Sequence, residues 1–269
     1  MKKKVLVLDI DGTLLNSQKK ISSATKASIL AIMREGHKVI LASGRPTPGL
    51  RPFEEELELR KYGGYLLSYN GARIVECSTG NVIYETTLPI SLLPDLYRFA
   101  KERECGLATH LGNEAISAFI PDKYITMEAH MNGMSVRRVE HFVEFVDFAV
   151  YKCLMTAEPE RATVLESELR EKCGQMASVY RSDPYFIEVM PKNVDKAASL
   201  DRMLAMIGMN WEDTVCCGDG FNDITMIERA GVGVAMGNAQ TEVKAAADYI
   251  AADNDSDGLV EVIKSMFIL

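Results

Sequence analysis

The chain has 269 residues, 47% of them apolar and 25% charged, with a formal net charge of −8. That length suggests one large domain or two, with a core that needs no staples. The acidic balance argues against non-specific nucleic-acid binding while leaving room for a local basic pocket. No run approaches the ~18 apolar residues of a membrane span, so no membrane partner is expected.

The basic start Lys2-Lys3-Lys4 leads into an apolar stretch that Asp9 interrupts, too short for a secretory signal. Residues 5–8, Val-Leu-Val-Leu, are a short apolar run rich in β-branched and aliphatic side chains, which predicts a buried strand. The run stops at Asp9-Ile10-Asp11-Gly12-Thr13. Alternation would put Asp9 and Asp11 on one face, and Gly12 lets the backbone turn away directly afterwards. Two carboxylates at the carboxyl end of a buried parallel strand lie where open α/β sheets bind ligands. Two such anions repel unless a cation or a proton is shared between them, so a divalent metal is expected.

Ser22 or Ser23 can cap a helix carrying Ile29, Leu30, Ile32 and Met33, stopped by Gly36. Residues 37–42 are a second buried strand, which completes a strand–helix–strand unit with parallel strands. It ends in Ser43-Gly44-Arg45-Pro46, a hydroxyl, a glycine and an arginine suited to cradling an anion. Residues 47–59 read as helix, with Glu54-Glu55-Glu56 as a solvated face. Residues 65–68 are a third strand, and 73–77 with 82–86 a hairpin.

From 88 to about 184 the order of elements loses its strand–helix–strand rhythm. Helices are expected at 91–104 and 159–173, and strands at 115–120, 148–155, 177–180 and 186–190, an α+β insert separate from the opening sheet. The alternation then resumes with a helix over 194–207, whose first turn holds Lys196. A cation gains nothing from the helix dipole there, a hint that Lys196 faces an anion. The strand at 214–217 ends in Gly218-Asp219-Gly220-Phe221-Asn222-Asp223, again acids with glycines at a strand's end. Short strands at 231–236 and 249–251 flank a helix at 241–247.

Asp253, Asp255, Asp257 and Gly258 match the first half of a calcium loop, but Lys264 stands where the closing bidentate glutamate belongs. This segment therefore reads as a polar loop capping the last helix. The six cysteines show no metal or redox spacing and read as reduced, mostly buried thiols of a cytoplasmic protein. His37, His110, His130 and His141 lie far apart and read as surface or core groups.

Four distant segments thus converge: Asp9 with Asp11, Ser43-Gly44-Arg45, Lys196, and Asp219 with Asn222 and Asp223. They supply acids for a hard cation, donors for anion oxygens and an attacking carboxylate, an inventory for phosphoryl transfer with Mg2+.

This ordered set resembles the haloacid dehalogenase-like hydrolase superfamily, in particular the Cof-type sugar-phosphate phosphatases with a large inserted cap. Asn70-Gly71-Ala72, Glu188 ahead of Lys196, and residues 230–239 carry the same likeness. The resemblance implies an α/β protein with a Rossmann-like parallel-sheet core of residues 1–83 and 188–269, and an inserted α+β cap of residues 84–187 that selects the substrate. It implies Asp9 as nucleophile, forming an aspartyl-phosphate, and Asp11 as the group that protonates the leaving alcohol and then activates water. Mg2+ would be held by the Asp9 carboxylate, the Asp11 carbonyl and Asp219. The amides of Ile10 and Gly44, with Ser43, Lys196 and Asn222, would hold the phosphate. Asp223 would orient Lys196 or a metal-bound water, and Arg45 would line the entrance. The implied partner is a small phosphorylated metabolite, a sugar phosphate first and a pyridoxal phosphate-type cofactor second, with a phosphomannomutase-like phosphotransferase sharing the same motifs. Ala197 stands where the family commonly has glycine, a small departure.

Overall fold

The computed structural model describes residues 2–267. They fall into two compact units, one made of the chain up to Glu85 together with the chain from Asp195 onward, the other of Thr86–Val194. Residues 188–194, which the sequence assigns to the first unit, belong to the second, because the strand that contains Glu188 is hydrogen-bonded on both sides there.

The first unit opens with β1 (Val5–Leu8), α1 (Ser23–Arg34), β2 (Lys38–Ala42), α2 (Thr47–Glu56), α3 (Leu59–Tyr62), β3 (Tyr65–Ser68), β4 (Arg73–Glu76) and β5 (Val82–Glu85). Ser22 caps α1, its side chain accepting from the Thr25 amide. The single helix expected over 47–59 is two, separated where Glu58 takes a left-handed conformation at φ 51°. Glu54 is buried against Arg51 rather than solvated.

The second unit contains α4 (Leu93–Glu102), β6 (Gly106–Leu111), β7 (Glu114–Ser117), α5 (Lys123–Met131), β8 (Ser135–Arg138), α6 (Phe142–Phe145), β9 (Cys153–Thr156), α7 (Pro159–Cys173), β10 (Ala177–Asp183) and β11 (Phe186–Pro191). Its sheet runs β10-β11-β9-β6-β7-β8, antiparallel throughout except for β7 and β8. Leu96 and Phe99 of α4, Phe142 of α6 and Leu165 and Leu169 of α7 share a core with Leu107, Ile116, Met155 and Ile187 of the strands. That core gives this unit a hydrophobic centre of its own.

The chain returns to the first unit with α8 (Lys196–Met206), β12 (Thr214–Gly218), α9 (Ile224–Arg229), β13 (Val232–Ala235), α10 (Thr241–Ala246), β14 (Tyr249–Ile250) and α11 (Gly258–Phe267). The sheet runs β14-β13-β12-β1-β2-β3-β4-β5, parallel from β14 to β3 and closed by the antiparallel β4–β5 hairpin. Period-two alternation divides its side chains between two layers. Leu6, Leu8, Val39, Leu41 and Val215 pack with α1 and α11; Val5, Val7, Ile40, Ala42 and Cys216 pack with α8 and Met226 of α9. Because both faces are covered, the central strands are apolar without a break, and polar groups gather where the strands end.

All six cysteines are buried and unbridged, and burial pushes the Cys216 thiol up to about 12. His37 and His110 are buried and His130 and His141 exposed, none in a cluster of metal-ligand type among the described residues. No described helix is long and apolar enough to cross a membrane.

Candidate active site

The polar groups converge at the carboxyl ends of β1, β2 and β12. The Asp9 amide extends the β1–β12 ladder by donating to the Cys217 carbonyl at 3.0 Å, which fixes the direction of its side chain. After Asp9 the backbone curls, with Leu14 N donating to Asp9 O and Leu15 N to Ile10 O. Gly12 makes the turn possible at φ 85°, and a Cβ there would lie 2.2 Å from an Asp219 carboxylate oxygen.

Lys196, at the start of α8, is fully buried and donates to Asp9 Oδ1 at 2.6 Å and to Asp223 Oδ1 at 2.5 Å. The other Asp223 oxygen accepts from the amides of Asp219 at 3.0 Å and Gly220 at 2.9 Å. Asp223 is therefore saturated: it holds the ammonium with one oxygen and shapes its own loop with the other. Asp219 accepts from the Thr13 hydroxyl at 2.8 Å. Asp195 caps α8 through the Ala198 amide, and Ser199 ties the helix to the Gly71 carbonyl, so the position of Lys196 is set by its helix.

The electrostatics follow from burial. Desolvation pushes the Asp9 carboxyl well above the usual carboxylate range; Lys196 opposes the rise, while Asp223 and Asp219 add to it. Desolvation likewise raises Asp219 to about 6 against the Thr13 hydrogen bond, with the charge of Asp223 contributing. Burial disfavours the Lys196 ammonium, but Asp223 and Asp9 outweigh it and hold its pKa above the ordinary lysine value.

Ser43 is buried at the end of β2, its carbonyl accepting from Asn70 N at 2.9 Å and its hydroxyl from Arg45 N at 3.2 Å. Gly44 passes so close to Asn70 that a Cβ would lie 3.2 Å from the side-chain amide. The same Asn70 accepts from the Asn222 side chain at 3.0 Å, which links the β2, β3 and β12 ends. Asn70 is left-handed at φ 52°, a conformation asparagine tolerates better than most residues.

The structure separates the two acids that the sequence pairs. The Asp11 carboxylate faces Arg45, whose Nε and Nη2 reach it at 2.6 and 2.8 Å, and Lys19, whose ammonium reaches it at 2.9 Å. Burial pushes the Asp11 carboxyl up, but the Arg45 and Lys19 contacts outweigh it and leave it below the ordinary aspartate value. Arg45, expected to line the entrance, has its guanidinium on Asp11. The carboxylates that do crowd one another are those of Asp9, Asp219 and Asp223, each with a ligand atom within 4.8 Å of the others. The repulsion that calls for a cation thus arises among these three rather than between Asp9 and Asp11.

These residues fit a hard divalent cation. Three carboxylates face one ammonium, leaving uncompensated negative charge in a desolvated site, and all the donors are oxygens. Asp223 has both oxygens engaged, one by Lys196 and the other by two amides, so Asp9 and Asp219 are the acids of this cluster best able to take a further ligand.

Thr13, Asn70 and Lys19 are site neighbours that motif reading does not single out. Thr13 and Asn70 sit inside or beside quoted motifs, so position alone could have flagged them. Lys19 carries no signal, because an exposed lysine eight residues beyond an aspartate is commonplace.

A family profile of the haloacid dehalogenase-like hydrolases matches residues 6–263. The chain belongs to that family. Its fold matches the crystal structure of a haloacid dehalogenase-like hydrolase from Bacteroides thetaiotaomicron with a TM-score of 0.94 and 42% identity, covering 98% of this chain and 100% of that one. It matches the structure of the subclass IIB sugar phosphatase BT4131 with a TM-score of 0.84 and 27% identity, over 99% and 100% of the two chains. The Bacillus subtilis (strain 168) 5-amino-6-(5-phospho-D-ribitylamino)uracil phosphatase YcsE is 29% identical over 97% of this chain and 94% of its own length. The chain is an enzyme, a phosphatase of this family.

Proposed function

We propose that the enzyme is a Mg2+-dependent hydrolase of small phosphorylated metabolites, with sugar phosphates the favoured class, working through a phosphorylated Asp9. The observation that carries this reading is the buried Lys196 held between Asp9 and Asp223 with Asp219 beside them. Asp9 Oδ1 is taken by the ammonium, and Oδ2 accepts no hydrogen bond among the described residues, so it is the oxygen positioned to attack.

In the first half-reaction Asp9 Oδ2 forms a bond to phosphorus, the ester P–O bond breaks, and the departing oxygen takes a proton from Asp11. In the second, Asp11 takes a proton from water, the water oxygen attacks phosphorus, and the acyl-phosphate P–O bond breaks to restore Asp9 and release inorganic phosphate. The cationic clamp on Asp11 favours its ionised form, the form the second half-reaction uses. Ser43, the amides of Ile10 and Gly44, Lys196 and Asn222 would supply the donors around the transferring group. Asp9, the Asp11 carbonyl and Asp219 would hold Mg2+, which when bound supplies charge neutralisation for the transferring phosphoryl group. Asp223 would position Lys196 and the loop that carries Asp219. The second unit, Thr86–Val194, would select the substrate. The sugar-phosphate class rests on the similarity to a sugar phosphatase.

The test has two parts. A panel of hexose, pentose and cofactor phosphates is assayed for released inorganic phosphate, and the enzyme is acid-quenched during turnover and weighed. One phosphoryl group on the peptide containing Asp9 is the expected result; turnover without any covalent adduct contradicts the mechanism.

A further inference from the structure

The segment that follows Asp9 is gripped from a distance. Lys19 sits at φ 58°, a left-handed conformation that a lysine keeps only where its neighbours over-determine it. Asn16 does so locally: its side-chain oxygen accepts from the amides of Gln18 at 3.1 Å and Lys20 at 3.0 Å, and its carbonyl from Lys19 N at 2.9 Å. This tight turn sends the Lys19 ammonium back onto Asp11.

The turn is in turn tied to the aspartate-rich loop before α11. Asp255 Oδ1 accepts from the Ser17 amide at 2.8 Å, and the Asn254 side chain donates to the Leu15 carbonyl at 2.8 Å. Asp257 accepts from the Ser22 and Thr25 hydroxyls at the start of α1. Asn238 completes the grip, donating to the Gly12 carbonyl at 2.8 Å and accepting from Asn254 N at 3.1 Å. The loop can approach this closely because Gly237 and Gly258 lack side chains; a Cβ on either would lie within 2.7 Å of backbone. Of the residues that mimic half a calcium site, Asp255 and Asp257 thus each spend a carboxylate oxygen on the stretch from Ser17 to Thr25.

We propose that the 253–257 loop, with Asn238, is a positioning element for the reaction: it fixes the 12–22 segment so that Lys19 bears on Asp11. Lys19, Asn254 and Asp255 are then positioning residues that act through Asp11, an assignment that rests on the phosphatase reading above. Misplacing a proton-transfer group by about 1 Å costs on the order of 10²-fold in rate. The Lys19 charge also favours ionised Asp11, so its loss alone would ease proton donation; misplacement is expected to outweigh that gain, and the loss falls on esters whose leaving oxygen needs a proton, such as alkyl and sugar phosphates. An aryl oxide departs without one. A loop that only stabilises the fold would lower both alike.

The experiment compares kcat/KM on an alkyl phosphate, glycerol 3-phosphate or a hexose 6-phosphate, with kcat/KM on p-nitrophenyl phosphate, in wild type, Lys19→Met and Asp255→Ala. Lys19→Arg and Asp255→Asn serve as conservative variants, and amide exchange over residues 12–22 is followed in the same proteins. The alkyl ester is expected to lose about 10- to 10²-fold and the aryl ester less than about threefold, with recovery in Lys19→Arg and Asp255→Asn. The Ser17 amide in Asp255→Ala is expected to exchange about two- to tenfold faster, the effect of one lost hydrogen bond. Equal losses on both esters would overturn the positioning role and leave the loop structural. Unchanged exchange over 12–22 would overturn the grip itself, whatever the turnover. If wild type hydrolyses neither ester with Mg2+, the phosphatase reading fails and the positioning role falls with it, while the exchange data still decide the grip.

Discussion

Each unit buries a lysine, and the surroundings of the two differ. In the second unit Lys152, 3% exposed, donates to Glu188 at 3.1 Å, and Glu188 also accepts from the Tyr180 hydroxyl at 3.4 Å. Burial disfavours that ammonium, but Glu188 and the nearby Glu128 outweigh it and raise its pKa. Glu128 in turn meets His110 and Asn132. Lys152 and Glu188 are bonded directly there, one ammonium to one carboxylate. In the first unit Lys196 faces two carboxylates directly with a third beside them, and burial raises two of those acids. Crowded acids at a strand's end mark a site awaiting a ligand, whereas an ammonium bonded directly to a carboxylate inside a sheet marks a structural pair.

That contrast is open to attack from both sides. The largest effect belongs to Lys196→Met, which removes the counter-ion of Asp9 and Asp223; turnover should fall at least about 10³-fold. Its metal-independent signature is a loss of stability, because two buried carboxylates are left unpaired. Near-normal phosphate release from this variant would make Lys196 a structural lysine like Lys152. Ser43→Ala comes next, with a fall of about 10²–10³-fold in kcat, the cost of one preorganised donor. Unaltered kcat would remove Ser43 from the phosphate site.

In the second unit the effect moves from rate to stability. Glu188→Gln removes the carboxylate bonded to the buried Lys152 ammonium, with Glu128 still nearby, and should cost up to about 3 kcal/mol, read as a lower denaturation midpoint. The double variant Lys152→Met/Glu188→Leu, which removes the bonded pair together, should lose less stability than the single one. If the double variant is as damaged as the single one, the pair does more than balance charge.

The smallest effect is a pH dependence. Folded Asp219 binds a proton near pH 6, against an ordinary aspartate value of 3.8. Between those values the metal-free folded state holds a proton that the unfolded chain does not, so this group's contribution makes the fold less stable as pH rises from about 4 to about 6. If Asp219 holds Mg2+ as proposed, the ion competes with that proton. Its stabilisation should be large at pH 7.5 and small at pH 5. A Mg2+-induced shift in Tm that is the same at both pH values would exclude Asp219 as a ligand.

Much of the first unit is legible in the sequence because both faces of its sheet are covered. Val5–Leu8, residues 39–42 and residues 215–217 are continuous apolar runs, and each ends in a motif. The second unit is harder to read. β6 and β8 escape notice because Gly106–Leu111 carries His110 and Thr109 inward and Ser135–Arg138 is a short edge strand with two arginines. The Asp122 cap of α5, which accepts from two amides, was an available signal. β9 begins at Cys153 rather than 148, since the residues before it form no ladder. At the site, the motifs locate Asp9, Ser43, Lys196, Asp219 and Asp223. They do not show that Asp11 turns to Arg45 and Lys19, because its side-chain direction depends on a backbone curl that strand alternation does not describe.

Asp9, in an acid cluster that Mg2+ would complete, is proposed as the group that attacks phosphorus. The most direct measurement is phosphate release from p-nitrophenyl phosphate by wild type and Asp9→Asn, each with Mg2+ and with chelator. Release is expected from wild type with Mg2+ alone, and none from Asp9→Asn under either condition although it folds. Release by Asp9→Asn at the wild-type rate, or release by wild type undiminished by chelator, would contradict it.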